Sequence, residues 1–520
     1  MIEASRIINK KVTWGLLALL VLYALCRSVA AAAGKSFWYD ELLTLVVSSL
    51  GSWNARLTAL RLPLDGQPPL FYAIEHFASS FAQNKEIALR LPSILAFPCT
   101  LTCVFIYVKR RSGETVGLLC ALFLLMTSIF QLYAVEARPY SMVIACVALA
   151  LVCYQRVPSP LWTVMLAVSL ALAESLHYLS VLAMLPFGLA EAILFFKTRR
   201  IRWTVWVALV AGAVPLLFFE NLLVLNKAYY GAHFWAQFQF SLIPSAYGEL
   251  LLTNGPYGTG VAALVLAGIL GTIVWPGTVQ TADREQKSYD LAEGMLLFAF
   301  AALPFVGYVF ASLTHSGLTP RYVLSTVIGV SIGLGYILSR ATLRTVCLFG
   351  TFVLSAVGVH ELHFWRSVRS QIDDVKSSGE AAGRFFDSAG HKKLPVLVPN
   401  GLALVWLSHY ASPFPGNRFF YPISDQSQNH EVRADTVDKG IELLTAYLPF
   451  RTATYLEFTS TNKEFLVYEG QRDAGNWLSL RLTLDGWSLQ TVEQDASRKI
   501  SLVTRTACAA CQIAEDSGTK

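Results

Sequence analysis

Long apolar runs separated by short polar breaks fill the first two-thirds of this 520-residue chain. Runs long enough for a helix to cross about 30 Å of hydrocarbon recur there, bounded by Lys/Arg clusters, Pro or aromatic residues. The pattern predicts about eleven transmembrane helices, with a count certain to within one because the fourth, fifth and eleventh runs are short. The predicted spans are 13–33, 87–108, 115–133, 139–154, 161–176, 179–196, 203–219, 258–275, 294–312, 322–338 and 345–360.

The pattern changes near residue 360, after which charges, Pro and Gly are frequent and the apolar runs are short. We therefore predict a transmembrane domain over 1–360 and a small soluble α/β domain over 361–520. In the second domain, helices are predicted over 365–388 and from Asn400-Gly401 to Tyr410. The predicted strands are 394–398, 464–468, 478–484 and 499–504.

Composition agrees with a polytopic membrane protein, since 54% of the residues are hydrophobic, 15% are charged and the mean hydropathy is +0.48. Basic clusters such as 109–111 and 197–202 fall in alternate loops, which places the N-terminus in the cytoplasm. An odd number of spans then puts the C-terminal domain outside. The net charge of +6 is accounted for by these loops and does not indicate nucleic-acid binding.

Unusual polar residues collect in the predicted outer loops. The long first loop, 34–86, carries an adjacent acid pair, and later outer loops carry further acids, histidines and arginines from distant parts of the chain. Charges at a membrane boundary are costly unless they are paired or used, so the sequence predicts a site on this side. The candidates are Asp40, Glu41, Glu136, Arg138, His177, Tyr178, Lys227, Arg321 and Tyr322.

An ordered set of motifs over roughly residues 10–345 resembles the GT-C glycosyltransferases. The nearest branch contains the protein O-mannosyltransferases and the aminoarabinose transferase of lipid A. The motifs are F-W-Y-D-E-L at 37–42, D-G-Q-P-P-L-F-Y at 65–72, A-L-R-L-P-S at 88–93, E-A-R-P-Y at 136–140, H-Y at 177–178 and P-R-Y at 320–322. The resemblance implies a polyprenyl-phosphate sugar donor, transfer on the outer face, usually with inversion, and catalysis by the acid of the first loop.

Residue chemistry assigns roles within that reaction. Inverting transfer needs a carboxylate to receive the acceptor proton, and Asp40 is the predicted general base; its alternative role is a helix cap or a solvated loop acid. Glu41 is expected to orient Asp40, bind the acceptor or help hold a divalent cation. The acid pair alone does not decide whether a metal is used.

Cations are needed at the departing phosphate, and the candidates are Arg321, Arg138 and Lys227. The alternatives are arginines that extend to lipid headgroups and a lysine in water. Glu136, His177, Tyr178 and Tyr322 are the candidates for substrate binding. A local ion pair of Glu136 with Arg138, and an interfacial anchor at His177-Tyr178, are the competing interpretations.

Three further features have structural interpretations. Arg27 and Arg90 lie near the outer ends of their spans, where we predict that they extend to the headgroups. The aromatic segment 220–257 is typical of an interfacial belt, with a flexible loop closing over an isoprenoid chain as the alternative. The C-x-x-C of Cys508 and Cys511 favours a structural disulfide or a free pair over catalytic use.

The predicted function is transfer of a sugar from a polyprenyl-phosphate donor to a glycan, lipid or protein hydroxyl on the outer face of a bacterial inner membrane. A transporter or flippase for a lipid-linked or anionic solute is the main alternative. It is disfavoured because the polar groups lie at span ends and no internal repeat is visible. A non-catalytic subunit of a membrane assembly is the other alternative.

Overall fold

The computed structural model describes residues 10–230, 236, 239–251, 256–274, 290–315, 317–388, 390–411, 416–423, 436–470, 477–495 and 498–505. Contacts divide the chain into two compact units. The bundle unit consists of Met1–Ser36 and Leu43–Ile372, and the sheet unit of Phe37–Leu42 and Asp373–Lys520. The hexapeptide that carries Asp40 and Glu41 thus groups with the C-terminal part of the chain.

The bundle unit is helical throughout its described residues. Two of its helices, α2 and α17, also contribute residues to the sheet unit. The helices are α1 (Lys10–Gly34), α2 (Tyr39–Ser49), α3 (Trp53–Arg61), α4 (Pro69–Ala78), α5 (Lys85–Ser112), α6 (Glu114–Leu124), α7 (Ser128–Gln131), α8 (Tyr140–Tyr154), α9 (Pro160–Leu176), α10 (Leu185–Thr198), α11 (Trp203–Tyr230), α12 (Ile243–Leu251), α13 (Pro256–Val274), α14 (Leu291–Ala301), α15 (Leu303–Thr314), α16 (Thr326–Leu338) and α17 (Leu343–Phe386). Short 3-10 helices span Tyr133–Val135, Tyr178–Met184, Phe240–Leu242 and Pro320–Val323.

Every predicted span falls on helix, but two of them are broken. Of the residues that the structure describes, five helices are long and apolar enough to cross a membrane, or up to seven if each bent pair forms one span. The predicted span 115–133 bends by 50° between α6 and α7, and 294–312 bends by 61° between α14 and α15. Pro304, in the first turn of α15, has no N–H for the carbonyl four residues earlier, so α14 cannot continue through it. The number of spans stays a prediction.

The first outer loop contains three short helices. Ser52 caps helix α3 by accepting a hydrogen bond from the Ala55 N–H at 3.1 Å. Helix α4 begins at Pro69, where a missing N–H costs nothing because first-turn N–H groups have no helical partner. Helix α2 begins within the F-W-Y-D-E-L motif, so its acids lie in the first turn of a helix.

The aromatic segment 220–257 is not a continuous flexible loop. Helix α11 extends through Tyr230, and α12 forms a second helix within the segment. Residues 231–235, 237–238 and 252–257 are not characterised at the side-chain level, so closure over an isoprenoid chain stays a prediction there. Cys508 and Cys511 also lie outside the described residues.

Buried arginines correct the prediction that Arg27 and Arg90 extend to lipid headgroups. Arg90 is fully buried and donates to the carbonyl oxygens of Ala32 at 2.7 Å, Lys35 at 2.6 Å and Ser36 at 3.0 Å. It thus binds one carbonyl that the last turn of α1 leaves open and two carbonyls of the segment that follows the helix. Arg27 is 3% exposed and pairs with Glu361 at 3.1 Å. Specific acceptors inside the bundle replace headgroup contact in both cases.

The sheet unit combines strands and helices. Its elements are β1 (Val396–Leu397), α18 (Gly401–Tyr410), β2 (Phe419–Ile423), α19 (Thr436–Leu444), β3 (Arg451–Thr454), α20 (Tyr455–Thr461), β4 (Glu464–Gly470), α21 (Trp477–Leu484), β5 (Trp487–Gln494) and β6 (Arg498–Arg505). The strand order is β3-β2-β1-β4-β6-β5, with parallel pairing from β3 to β4 and antiparallel pairing of β6 with β4 and β5. Strand β1 is two buried residues long, and Asn400 caps helix α18, whose start agrees with the prediction.

One predicted strand, 478–484, is wrong because it forms helix α21. Its leucines at every second position mimic a strand. In the structure Leu478 and Leu482 are buried against the sheet, whereas Leu480 and Leu484 are 63% and 74% exposed. Burial therefore repeats every four residues, which is the spacing of a helix face.

Candidate active site

Asp40 and Glu41 occupy the first turn of α2, and their side chains have different environments. Glu41 is fully buried and its Oε2 accepts a hydrogen bond from the Trp38 N–H at 3.3 Å. An acid three residues after the N-cap that bonds back to the cap N–H is one half of a capping box. Asp40 is partly exposed. Neighbouring helical residues do not face each other, and a part for the two acids in holding a divalent cation stays a prediction.

The start of this segment is held by helix α18 within the sheet unit. The Phe37 N–H donates to Tyr410 Oη at 2.8 Å. The Phe37 side chain is fully buried, and its ring centroid lies 5.9 Å from that of His409. The sequence offered no sign of this contact, because the partners are separated by more than 370 positions.

In the bundle unit, Arg138 forms a buried ion pair with Asp65. Its guanidinium contacts both carboxylate oxygens, at 2.5 Å and 3.3 Å, and the two side chains are 4% and 7% exposed. Arg138 also donates to Thr44 Oγ1 at 3.2 Å, one helical turn after Asp40 along α2. The pair joins the second outer loop to the D-G-Q-P-P motif. Asp65 was visible in that motif but was not assigned a role.

Glu136 pairs with Lys35, at 3.1 Å between Nζ and Oε1. The alternative from the sequence was an ion pair of Glu136 with Arg138, and the structure places the Arg138 guanidinium against Asp65. The Lys35 side chain is 34% exposed and that of Glu136 is 10% exposed. The pair thus remains partly accessible to solvent.

His177, Tyr140 and Tyr322 form an aromatic cluster beside Arg321. The His177 ring centroid lies 5.5 Å from that of Tyr140 and 5.1 Å from that of Tyr322. The Arg321 guanidinium carbon lies 5.6 Å from the centre of the Tyr140 ring and 5.8 Å from that of the Tyr322 ring. Cation–π contact with two rings orients this guanidinium. The structure therefore unites three of the predicted site residues.

His177 is neutral in this cluster. Burial, together with the charges of Arg138 and Arg321, lowers the pKa of His177 to about 3. Its Nδ1 accepts a hydrogen bond from the Leu179 N–H at 3.2 Å, so the ring proton is on Nε2. His177 thus contributes a flat, uncharged surface rather than a cation.

A pocket opens beside this cluster, with polar groups on part of its wall and aliphatic side chains on the rest. Helix α8, the 3-10 turn after His177 and the segment after Pro320 line it. The polar part of the wall includes Arg321, His177, Ser180 and Ser325. The aliphatic part includes Val143, Ile144, Leu179, Leu182, Leu303 and Leu324. The pocket is small, about 10 Å³, and its single cation beside apolar side chains suits the charged head of an amphipathic anion.

Two predicted site residues lie away from this wall. Tyr178 is buried and packs edge-on against Phe219 of α11, with ring centroids 6.0 Å apart. Lys227, near the end of α11, donates to the Thr314 carbonyl at 3.2 Å. Neither is among the residues that line the pocket.

Glu249 is an acid that the sequence interpretation missed. It lies on α12, and burial raises the pKa of its carboxyl while the nearby charge of Arg321 opposes that rise. It is one of two acids in the aromatic segment 220–257, and that was the signal available. Within the described ranges, no group of three or more His, Cys, Asp or Glu side chains is arranged to hold a metal ion.

Comparison with known proteins supports the resemblance seen in the motifs. The sequence profile of the dolichyl-phosphate-mannose-protein mannosyltransferase family matches residues 66–224, which include Arg138 and His177. The chain is a glycosyltransferase with the GT-C fold. No curated protein matches this glycosyltransferase in sequence at a significant level.

Solved structures establish the extent of the fold. ArnT from Cupriavidus metallidurans matches in its apo state with a TM-score of 0.57 and 13% identity. The same protein bound to undecaprenyl phosphate matches with a TM-score of 0.56 and 14% identity. Each comparison covers 94% of this GT-C chain and 98% of ArnT. The match thus extends over most of the length of this integral membrane protein.

Proposed function

We propose that this glycosyltransferase takes a sugar from a polyprenyl-phosphate donor and transfers it to a hydroxyl on the outer face of a bacterial inner membrane. The acceptor is a glycan, a lipid or a protein, and the C-terminal domain is periplasmic. The loop charges favour this orientation, since the basic clusters fall on the opposite side.

The amphipathic pocket of the bundle unit is the observation that carries the donor assignment. A polyprenyl phosphate has a charged head and a long apolar tail, and the pocket has the Arg321 guanidinium and a largely aliphatic wall. A guanidinium binds phosphate oxygens in a planar, charge-assisted geometry. ArnT, which shares the fold, has been crystallised with undecaprenyl phosphate.

In this proposal Arg321 binds the donor phosphate and stabilises the charge that develops as the sugar departs. Tyr140, Tyr322 and neutral His177 orient the guanidinium and add a flat surface for the sugar. Arg138 acts mainly through Asp65, because its guanidinium already contacts that carboxylate through two nitrogens. Lys227 lies at the end of α11, where it supplies a secondary positive charge.

Asp40 is the proposed general base. It lies in the first turn of α2 and is partly exposed, although its Oδ2 atom is buried. In the transition state it receives the acceptor proton while the acceptor oxygen attacks the anomeric carbon. Glu41 maintains the helix start that orients Asp40, through its bond to the Trp38 N–H.

The test uses the purified full-length protein in lipid vesicles with a panel of polyprenyl-phosphate sugars, following release of the free lipid phosphate. We expect one donor to be turned over by the wild type and not by Asp40→Asn. Full activity of Asp40→Asn would disprove the base assignment. Binding of donors without turnover by the wild type would instead favour the transporter alternative.

Arg321→Gln tests the phosphate assignment. Loss of charge-assisted hydrogen bonds to phosphate is expected to raise the donor KM roughly 10- to 100-fold. Arg340→Gln is the matched control, because Arg340 also lies beside a tyrosine ring, 4.8 Å from that of Tyr336, but does not line the pocket. Equal donor KM values for the two variants would contradict the assignment.

A further inference from the structure

The segment Phe37–Leu42, which carries Asp40 and Glu41, belongs to the sheet unit. More than 300 residues separate it from the rest of that unit, Asp373–Lys520. One hydrogen bond that links this segment to α18 runs from the Phe37 N–H to Tyr410 Oη, at 2.8 Å. The buried Phe37 ring also lies beside His409, the residue before Tyr410. Two adjacent residues of α18 therefore contact the residue that opens the segment.

The position of Tyr410 is itself determined by packing within the sheet unit. At Gly379 of α17, an added Cβ would lie 2.8 Å from the Tyr410 carbonyl oxygen and 2.9 Å from its Cβ. Only glycine permits so close an approach of the two helices. The Tyr410 ring packs between Trp406, at 5.3 Å, and His409, at 4.6 Å. Its hydroxyl is thus presented at a defined place.

Two successive backbone N–H groups before α2 are bound by side chains. Tyr410 accepts from Phe37, and Glu41 accepts from Trp38. Together they define the direction in which α2 begins, and Asp40 is the second residue of that helix. Loss of either bond allows the first turn to reorient while the rest of the helix stays formed.

We propose that Tyr410 is a positioning residue of the transferase reaction, through which the C-terminal domain orients Asp40. The inference rests on the proposed role of Asp40 as base. It gives the C-terminal domain a part in catalysis that is separate from any choice of acceptor. The expected signature is a change in kcat, because donor binding is assigned to side chains outside the sheet unit.

Tyr410→Phe in the full-length protein, reconstituted in lipid vesicles, tests this proposal. It removes the acceptor for the Phe37 N–H and keeps the ring. We expect kcat to fall roughly 10- to 100-fold, as for a displaced catalytic group, with the donor KM within about twofold of wild type. Hydrogen exchange of the peptide containing residues 37–42 should become faster.

Tyr455→Phe is the matched control, because it removes a tyrosine hydroxyl of the same unit that donates to Asp485 at 2.7 Å. It should leave kcat and the exchange of the 37–42 peptide unchanged. His409→Ala, which removes the ring beside Phe37 and keeps the hydroxyl of Tyr410, should give a smaller loss of kcat. It becomes the deciding variant if Tyr410→Phe does not fold.

The outcomes separate this inference from the proposed function. If Asp40→Asn is inactive while Tyr410→Phe, or His409→Ala in its place, keeps the wild-type kcat and peptide exchange, the positioning role is wrong and the base assignment stands. If Asp40→Asn is fully active, the proposed base is wrong, and with it the inference. A folded Tyr410→Phe with an unchanged kcat and a raised donor KM also overturns the positioning role.

Discussion

The buried pair of Asp65 and Arg138 offers a sharp test of the bundle structure. The side chains are 7% and 4% exposed, and the guanidinium contacts both carboxylate oxygens. Asp65→Asn keeps the shape of the side chain and removes its charge, which leaves the charge of the buried Arg138 side chain uncompensated. Breaking a buried pair in this way typically costs about 3–5 kcal/mol. We expect the lower part of that range, since the amide oxygen still accepts a hydrogen bond.

The assay is reversible unfolding in mixed micelles, together with the donor KM and kcat. A double variant, Asp65→Asn with Arg138→Gln, removes both charges and should recover more than half of the lost stability. Glu380→Gln is the control, because its pair with Arg384 is 62% and 70% exposed and should contribute no more than about 0.5 kcal/mol. A loss of less than about 1 kcal/mol in Asp65→Asn would refute the reasoning.

The same double variant separates the two roles considered for Arg138. If Arg138 acts through Asp65, the donor KM of the double variant stays within a few-fold of wild type. If Arg138 binds the donor phosphate directly, the donor KM rises by roughly 10-fold or more, as for Arg321→Gln.

Three further predictions concern His177, Arg90 and a close helix contact. His177 has a pKa of about 3 in the folded protein against 6.5 for an exposed histidine, so its contribution to stability is lost as pH falls from 6.5 towards 3. His177→Gln should therefore make the free energy of unfolding less sensitive to acid over that window. An unchanged pH dependence would contradict the burial of His177 as a neutral ring. Arg90→Met should destabilise the protein by about 3 kcal/mol or more, because the Ala32 carbonyl of α1 and the Lys35 carbonyl just after it lose their donor. Exposed Arg199→Met should change the free energy of unfolding little. Equal effects of the two substitutions would refute the capping role. Gly329→Ala should lower the free energy of unfolding by about 1–3 kcal/mol, because the added Cβ would lie 2.5 Å from the Ala301 nitrogen. Gly188→Ala is the control, since nothing lies within 4 Å of its added Cβ. Equal unfolding of the two variants would show that the contact of Gly329 with Ala301 is not tight.

Much of the fold could be predicted because its signals are local. Apolar runs long enough to span a bilayer locate the helices, since hydrocarbon requires every backbone polar group to be satisfied within the segment. The start of α18 was also predictable from a local signal, Asn400 before Gly401, because an N-cap side chain acts on N–H groups within three residues. The strand prediction for 478–484 failed because leucines at every second position fit both a strand and a helix. Packing against the sheet selected the helix.

The candidate site depended on partners far apart in sequence. Ionisable residues at the ends of spans marked the outer side, since such charges are costly there without a use. Their pairing was not predictable, because an arginine makes a similar contact with any acid that the fold brings near. Arg138 pairs with Asp65, and Arg90 binds backbone carbonyls at and just after the end of α1 rather than lipid.

The sequence by itself determined the class of this protein: its apolar helices, its acidic first outer segment and its ordered glycosyltransferase motifs. The tertiary structure decided which charges are paired, that Glu41 caps the helix that carries Asp40, and that the segment beginning at Phe37 packs with residues more than 370 positions away. Local patterns are encoded by neighbouring residues, which share one helix or strand. Contacts between distant residues depend on the free energy of the whole packed chain, which no local pattern contains.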